Sequence, residues 1–182
     1  MKRNPWFPLV GLATVLSLAT AYAGELKVGD KAPDFDLAST HGGTYQLGDK
    51  PVVLAWFPKA YTRGCTIECK SLAENGHLIE EFDVDYFMVS CDPIEDNKGF
   101  AEKNNAKFPL LSDPTKETAE AYGVLMEDYG VPNRHNYYIG ADGTILAIDR
   151  QVNPATAAED IAAKLAELKI PKAKVAEADS DT

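Results

Sequence analysis

The chain is poor in cysteine, histidine and positive charge. Three cysteines in 182 residues are too few to staple a scaffold by disulfides, and an odd count leaves at least one free thiol or an intermolecular bridge. The three histidines, His41, His77 and His135, show no metal-ligand spacing. Lys and Arg number 18 against 28 Asp and Glu, for a formal charge of -10. Such a balance excludes the basic footprint that nucleic acids require and disfavours anionic membrane surfaces. Long apolar runs are also missing beyond the first two dozen residues.

Those first residues read separately. Lys2 and Arg3 precede an apolar stretch from Trp6 to about Thr20, which ends in Ala21-Tyr22-Ala23. A basic start, a short apolar core and an A-x-A site predict a secretory signal peptide over 1–23, cleaved after Ala23. Export, into a bacterial periplasm, is the expectation. Cleavage removes two cations and no acid, shifting the formal charge from -10 to -12. After cleavage no membrane association is expected.

Hydrophobic residues at 45% and charged residues at 25% suit one globular domain, placed at 24–170. A turn-rich start is followed by a short hairpin, Asp34 to Leu37 and Thr44 to Leu47. The run Pro51 to Phe57 reads as a strand covered on both faces. A helix spans about Tyr61 to Phe82, with Gly76 dividing it and Ile67, Leu72, Leu78, Ile79 and Phe82 at helical spacing. A second central strand covers Val84 to Ser90, a charged helix Ile94 to Asn104, a strand Phe108 to Leu111, and a helix Thr115 to Tyr122. Asn136 to Ile139 and Thr144 to Ile148 form a hairpin about Asp142-Gly143. Pro154 to Leu168 is a periodic helix with Pro at its first turn. Residues 171–182 lack apolar anchors and read as a disordered acidic tail. The order predicts an α/β domain, a central mixed sheet flanked by helices.

The segment Pro58-Lys59-Ala60-Tyr61-Thr62-Arg63-Gly64-Cys65-Thr66-Ile67-Glu68-Cys69 holds the chemistry. Cys65 falls after a central strand, at the first turn of a helix. Only the thiolate attacks, and a helix N-terminus or a nearby cation favours that form. Arg63 or a distant arginine is the candidate cation. Thr62, one turn earlier, either faces the sulfur or simply caps the helix. Pro58 ends the strand and is placed to shield the thiolate. Glu68 faces cationic groups of the site or merely suits the helix dipole.

Cys69 lies one turn beyond Cys65. Their Cβ atoms would be about 5–6 Å apart on a helix, against roughly 3.8 Å in a disulfide. A bond between them therefore needs an unwound first turn; otherwise Cys69 is an ordinary helix residue. Cys91, which closes a strand, is read first as a buried structural thiol. Arg134 stands just before the strand that begins at Asn136, and spacing alone would leave it a surface residue.

Together these residues resemble the peroxiredoxins of the AhpC/TSA superfamily, in their bacterioferritin-comigratory or Q-type branch. Pro58, Thr62 and Cys65 match P-x-x-x-T-x-x-C. The blocks Val89-Ser90…Asp92, Phe108 to Pro114, Ala121 to Val124 and Arg134 to Ile139 are similar to the later family segments, so the likeness covers about Val28 to Leu168. The resemblance implies a thioredoxin-like fold that opens with an N-terminal β-hairpin. It also implies a thiol-dependent peroxidase for hydrogen peroxide and alkyl hydroperoxides. It makes Cys65 the nucleophile that becomes a sulfenic acid, with Thr62 and Arg134 positioning the peroxide and Pro58 shielding the pocket. A thioredoxin-like or small-thiol reductant is implied, and no cofactor or metal. Arg63 stands where that branch has Pro, and Asn136 where it has Thr. Its second cysteine often lies five residues after the first, where this chain has Lys70. Cys69 is thus a candidate resolving residue by inference, with Cys91 the second candidate and no internal partner the third alternative.

A rival from another class is a Sco-like copper chaperone, with Cys65, Cys69 and His135 as soft and imidazole ligands. Exposed helix faces fit a monomer or a weak dimer.

Overall fold

The computed structural model describes residues 25–174. The expected signal peptide and most of the expected tail lie outside them.

Strand β3 (Val52–Trp56) is the axis of the molecule, and all five of its residues are buried. Its side chains alternate between two cores, as a pleated strand covered on both faces must. Val53, Ala55 and the following Phe57 enter one core; Val52, Leu54 and Trp56 enter the other. β4 (Asp85–Ser90) and β5 (Leu110–Ser112) continue the sheet in parallel. β8 (His135–Ile139) pairs antiparallel on the other side of β3, and β9 (Ile145–Asp149) beyond it. At the far edge β1 (Leu37–Ser39) pairs antiparallel with β5 and with β2 (Thr44–Tyr45). The sheet therefore has seven strands in the order β2-β1-β5-β4-β3-β8-β9, mixed as expected.

Helices cover both faces. The first core lies under α1 (Arg63–Asn75), α3 (Ile94–Lys103) and α5 (Ala157–Glu167), which contribute Cys65, Cys69, Leu72, Phe100, Ala101, Ile161 and Leu165. The second is closed by the N-terminal segment and α4 (Glu117–Ala121), through Leu26, Phe35, Ala119 and Tyr122. Gly76 separates α1 from the short α2 (His77–Glu80). A Cβ there would stand 2.5 Å from the Leu72 carbonyl oxygen and 2.6 Å from the Tyr86 hydroxyl, so only glycine fits.

Several expectations shift. The hairpin strands begin and end elsewhere, and Asp34 to Asp36 precede β1 rather than forming it. A two-stranded ribbon, β6 (Leu125–Met126) with β7 (Val131–Pro132), has no counterpart in the sequence pattern. Residues 154–156 form a 3-10 turn before α5, with the Asn153 side chain accepting from Ala155 N–H. Ile67, expected on the buried stripe, is 39% exposed. The stripe instead runs through Cys65, Glu68, Cys69 and Leu72, at i, i+3, i+4 and i+7. The tail boundary also moves. Asp83 N–H donates to the Pro171 carbonyl, Ala173 N–H to the Glu81 carbonyl, and Lys172 pairs with Glu81 at 2.8 Å.

Candidate active site

The parallel pair β3 and β4 point their carboxyl ends the same way, the end where ligand sites of open α/β sheets gather. Because β8 runs antiparallel, its first residue His135 lies in register with Trp56, the last residue of β3. The segments Phe57 to Thr62, Cys91 to Pro93 and Asn133 to Arg134 thereby converge. Asp92 fastens two of them, its Oδ2 accepting from Ala60 N–H at 2.8 Å.

Thr62 occupies the N-cap position of α1 with extended backbone, and its carbonyl accepts from Thr66 N–H at 2.9 Å. Its side chain makes no cap bond. Instead Oγ1 donates to the Lys59 carbonyl at 2.9 Å. The first-turn N–H groups of α1 thus keep their positive end uncapped. The Thr62 oxygen, with its proton committed, is left as an acceptor.

Cys65 is the third residue of α1 and 1% exposed. Strand alternation sends Arg134 to the same face as Asn136 and Tyr138, the face that α1 covers. Its Nη2 donates to the Cys65 sulfur at 3.2 Å, and its Nη1 donates to Glu68 Oε2. Glu68 is fully buried, and its other oxygen, Oε1, has no hydrogen-bond partner among the described residues. Burial pushes the Glu68 carboxyl up to about 7, outweighing the charge and hydrogen bond of Arg134. Of the two readings of Glu68, the cation-facing one holds. Gly64 makes room for this arrangement, since a Cβ there would meet Arg134 Nη2 at 3.2 Å.

Cys69 is completely buried beneath Cys65. Burial, with the negative charges of Glu68 and Cys65, pushes its thiol up to about 12. All three cysteines are free, and α1 is continuous from Arg63 through Cys69. Cys91 packs against the second core, across the sheet from Cys65. Burial first, then Asp113, pushes its thiol up to about 12. Pro58, half-buried, walls a cavity of about 320 Å³ that Cys91, Lys59, Lys116 and Tyr129 also line.

The copper reading needs Cys65, Cys69 and His135 to converge. They do not. His135 lies opposite Trp56, whose side chain enters the second core, while both cysteines belong to the first. Burial and then the nearby Arg150 lower its pKa. Among the described residues no group of three or more His, Cys, Asp or Glu side chains could hold a metal ion.

A buried cysteine at a helix start, hydrogen-bonded by an arginine that leads into an interior strand of a mixed α/β sheet, fits a thiol enzyme of thioredoxin-like build. Comparison with known proteins narrows the class. The AhpC/TSA family model matches residues 28–148. Peroxiredoxin Bcp of Bacillus subtilis is 34% identical over 131 residues, 69% of this chain and 80% of that protein. Peroxiredoxin Bcp of Escherichia coli K12 is 36% identical over 129 residues, 66% of this chain and 83% of that one. The crystal structure of peroxidoxin BcpB from Mycobacterium tuberculosis superposes with a TM-score of 0.71 at 28% identity, over 79% of this chain and 98% of that one. A mutant PrxQ from Xylella fastidiosa, at 23% identity and a TM-score of 0.72, shares the fold over 79% of this chain and 98% of its own. The chain belongs to the AhpC/TSA family and is a peroxiredoxin of the Bcp type, a thiol-dependent peroxidase.

Sequence reasoning missed the depth of Glu68 and the tie from Asp92 to Ala60. An acid three residues after Cys65, on an otherwise apolar stripe, was the available signal for the first. The second joins loops 32 residues apart and leaves no local pattern.

Proposed function

We propose that Cys65 is the peroxidatic nucleophile and that Arg134, Thr62 and Pro58 form its pocket. The contact of Arg134 Nη2 with the Cys65 sulfur carries this reading, because a guanidinium hydrogen bond is strongest when the acceptor is anionic. The thiolate attacks one oxygen of the hydroperoxide. An S–O bond forms, the O–O bond breaks, and the departing oxygen builds negative charge until it gains a proton. Arg134 and the uncapped N–H groups of α1 are the donors available to meet that charge. Thr62 Oγ1 accepts from the hydroperoxide O–H and orients it. Pro58 closes the site toward the Cys91 cavity.

The products are an alcohol or water and a sulfenic acid on Cys65. Cys69 then condenses with it, forming a disulfide and releasing water, and a thioredoxin-type dithiol or small thiol restores both thiols. Hydrogen peroxide and alkyl hydroperoxides are the substrates proposed. Residues 1–23 support secretion to a periplasm as a mature chain beginning at Gly24, which N-terminal sequencing of the native protein checks. Exposed faces of α3 and α5 support a monomer or a weak dimer.

Stoichiometric peroxide added to the reduced protein, followed by mass mapping, tests the chemistry. Oxidation should be fast, centred on Cys65, and lost in Cys65→Ser. Slow oxidation that ignores Cys65→Ser rejects the assignment. A Cys65–Cys91 bond, or none, rejects Cys69 as the partner.

A further inference from the structure

Tyr61 immediately precedes the N-cap residue of the helix that carries Cys65, and its backbone takes φ +66°. A bulky aromatic residue is strained in that left-handed region, so the surrounding contacts must hold it there. α3 supplies such contacts. The Tyr61 hydroxyl donates to the Asp96 carbonyl at 3.2 Å. The ring packs edge-on against Phe100, with centroids 5.5 Å apart, and Lys103 Nζ lies 5.7 Å from its centroid. The side chain crosses the helix at Gly99, where a Cβ would meet the hydroxyl at 2.6 Å. Tyr61 nevertheless remains 50% exposed. It is an aromatic strap over α3, seated where glycine leaves a gap.

The Cys65–Cys69 step requires the first turn of α1 to unwind, since both residues sit on consecutive turns of an intact helix. Unwinding must begin at residues 61–63, next to the strap. We propose that Tyr61 is a latch that holds the Cys65 loop folded on α3 and thereby sets how fast the sulfenic acid reaches Cys69. The latch rests on the proposed Cys65–Cys69 pairing. Two fates compete for the sulfenic acid. Condensation with the Cys69 thiol forms the S–S bond and releases water. Alternatively a second hydroperoxide transfers an oxygen, giving sulfinic acid and an alcohol, or water from hydrogen peroxide. A tight latch prolongs the folded sulfenic state and favours the second fate. The φ +66° strain is relieved on opening, so the latch is balanced rather than locked.

The test is a rapid-quench measurement on the full chain. Reduced protein is mixed with hydrogen peroxide, and sulfenic, disulfide and sulfinic forms are counted by mass. Tyr61→Phe removes only the bond to Asp96 and should speed disulfide formation roughly two- to tenfold, the equivalent of one hydrogen bond. Tyr61→Ala should speed it further and lower the sulfinic fraction. Gly99→Ala, which leaves Tyr61 itself intact but fills its seat, should act in the same direction. Equal disulfide rates in wild type, Tyr61→Ala and Gly99→Ala would overturn the latch, as would faster disulfide with an unchanged sulfinic fraction. A wild-type protein that forms no Cys65–Cys69 bond at all would instead overturn the pairing. A purely structural role would lower the melting temperature without moving the disulfide-to-sulfinic ratio.

Discussion

Gly64 and Arg134 are fitted to one another: a Cβ on Gly64 would stand 3.2 Å from the guanidinium nitrogen that reaches the Cys65 sulfur. Arg134 cannot retreat freely, because its other nitrogen is held by buried Glu68.

Gly64→Ala should therefore separate stability from activity. Alanine is the better helix former, and Gly64 carries no left-handed φ, so the melting temperature should hold or rise. The guanidinium must shift by a few tenths of an ångström, and kcat/KM for peroxide should fall by about threefold to tenfold. Calorimetry and steady-state assays read the two signs.

Arg134→Lys keeps the charge but not the fork. A single ammonium cannot serve Glu68 and Cys65 as two directed donors. Peroxide reduction should drop by about 10²-fold, the scale of losing one preorganised donor. Stopped-flow oxidation of Cys65 would show it, and near wild-type rates would contradict the role given to the fork.

Glu68 makes stability depend on pH with a defined sign. Its folded-state value of about 7 lies above the ordinary 4.5, so the folded protein holds the proton more tightly than the unfolded chain. The resulting stabilisation is fully present below pH 4.5 and is lost as pH rises through about 7. Urea midpoints across that window should decline in wild type and flatten in Glu68→Gln. A rise with pH attributable to Glu68 would refute the burial argument.

Cys69 should be inert until the helix opens. With its thiol pushed up to about 12, its thiolate fraction at about pH 8 is about 10³-fold below that of an ordinary cysteine. Iodoacetamide should label Cys69 at least about 10²-fold more slowly in the native protein than in urea.

Gly76→Ala probes the division between α1 and α2. The new methyl would collide with the Leu72 carbonyl and the Tyr86 hydroxyl. Overpacking of this kind costs about 1–3 kcal/mol, measurable by denaturation.

Much of the fold was legible along the chain. The unbroken apolar run at 52–56 marks a doubly covered strand, and Gly76 and the Asp142-Gly143 turn punctuate the pattern where the structure breaks it. The ribbon of β6 and β7 was not legible, because two-residue strands carry no period. Ile67 misled for a related reason. Apolar residues at helical spacing suggest a buried face, but the face is chosen by what the helix packs on, and here the cysteines and Glu68 won it.

Local patterning dictates the central strand, the helix start behind it and the place of Cys65 at their junction, because each is written in residues that are neighbours along the chain. Which distant groups meet that cysteine is a matter of tertiary packing. Antiparallel pairing of β8 with β3 brings Arg134 to Cys65 and sends His135 to the opposite face, because neighbouring side chains of a strand point to opposite sides. Spacing along the chain could not distinguish those two residues; strand register does.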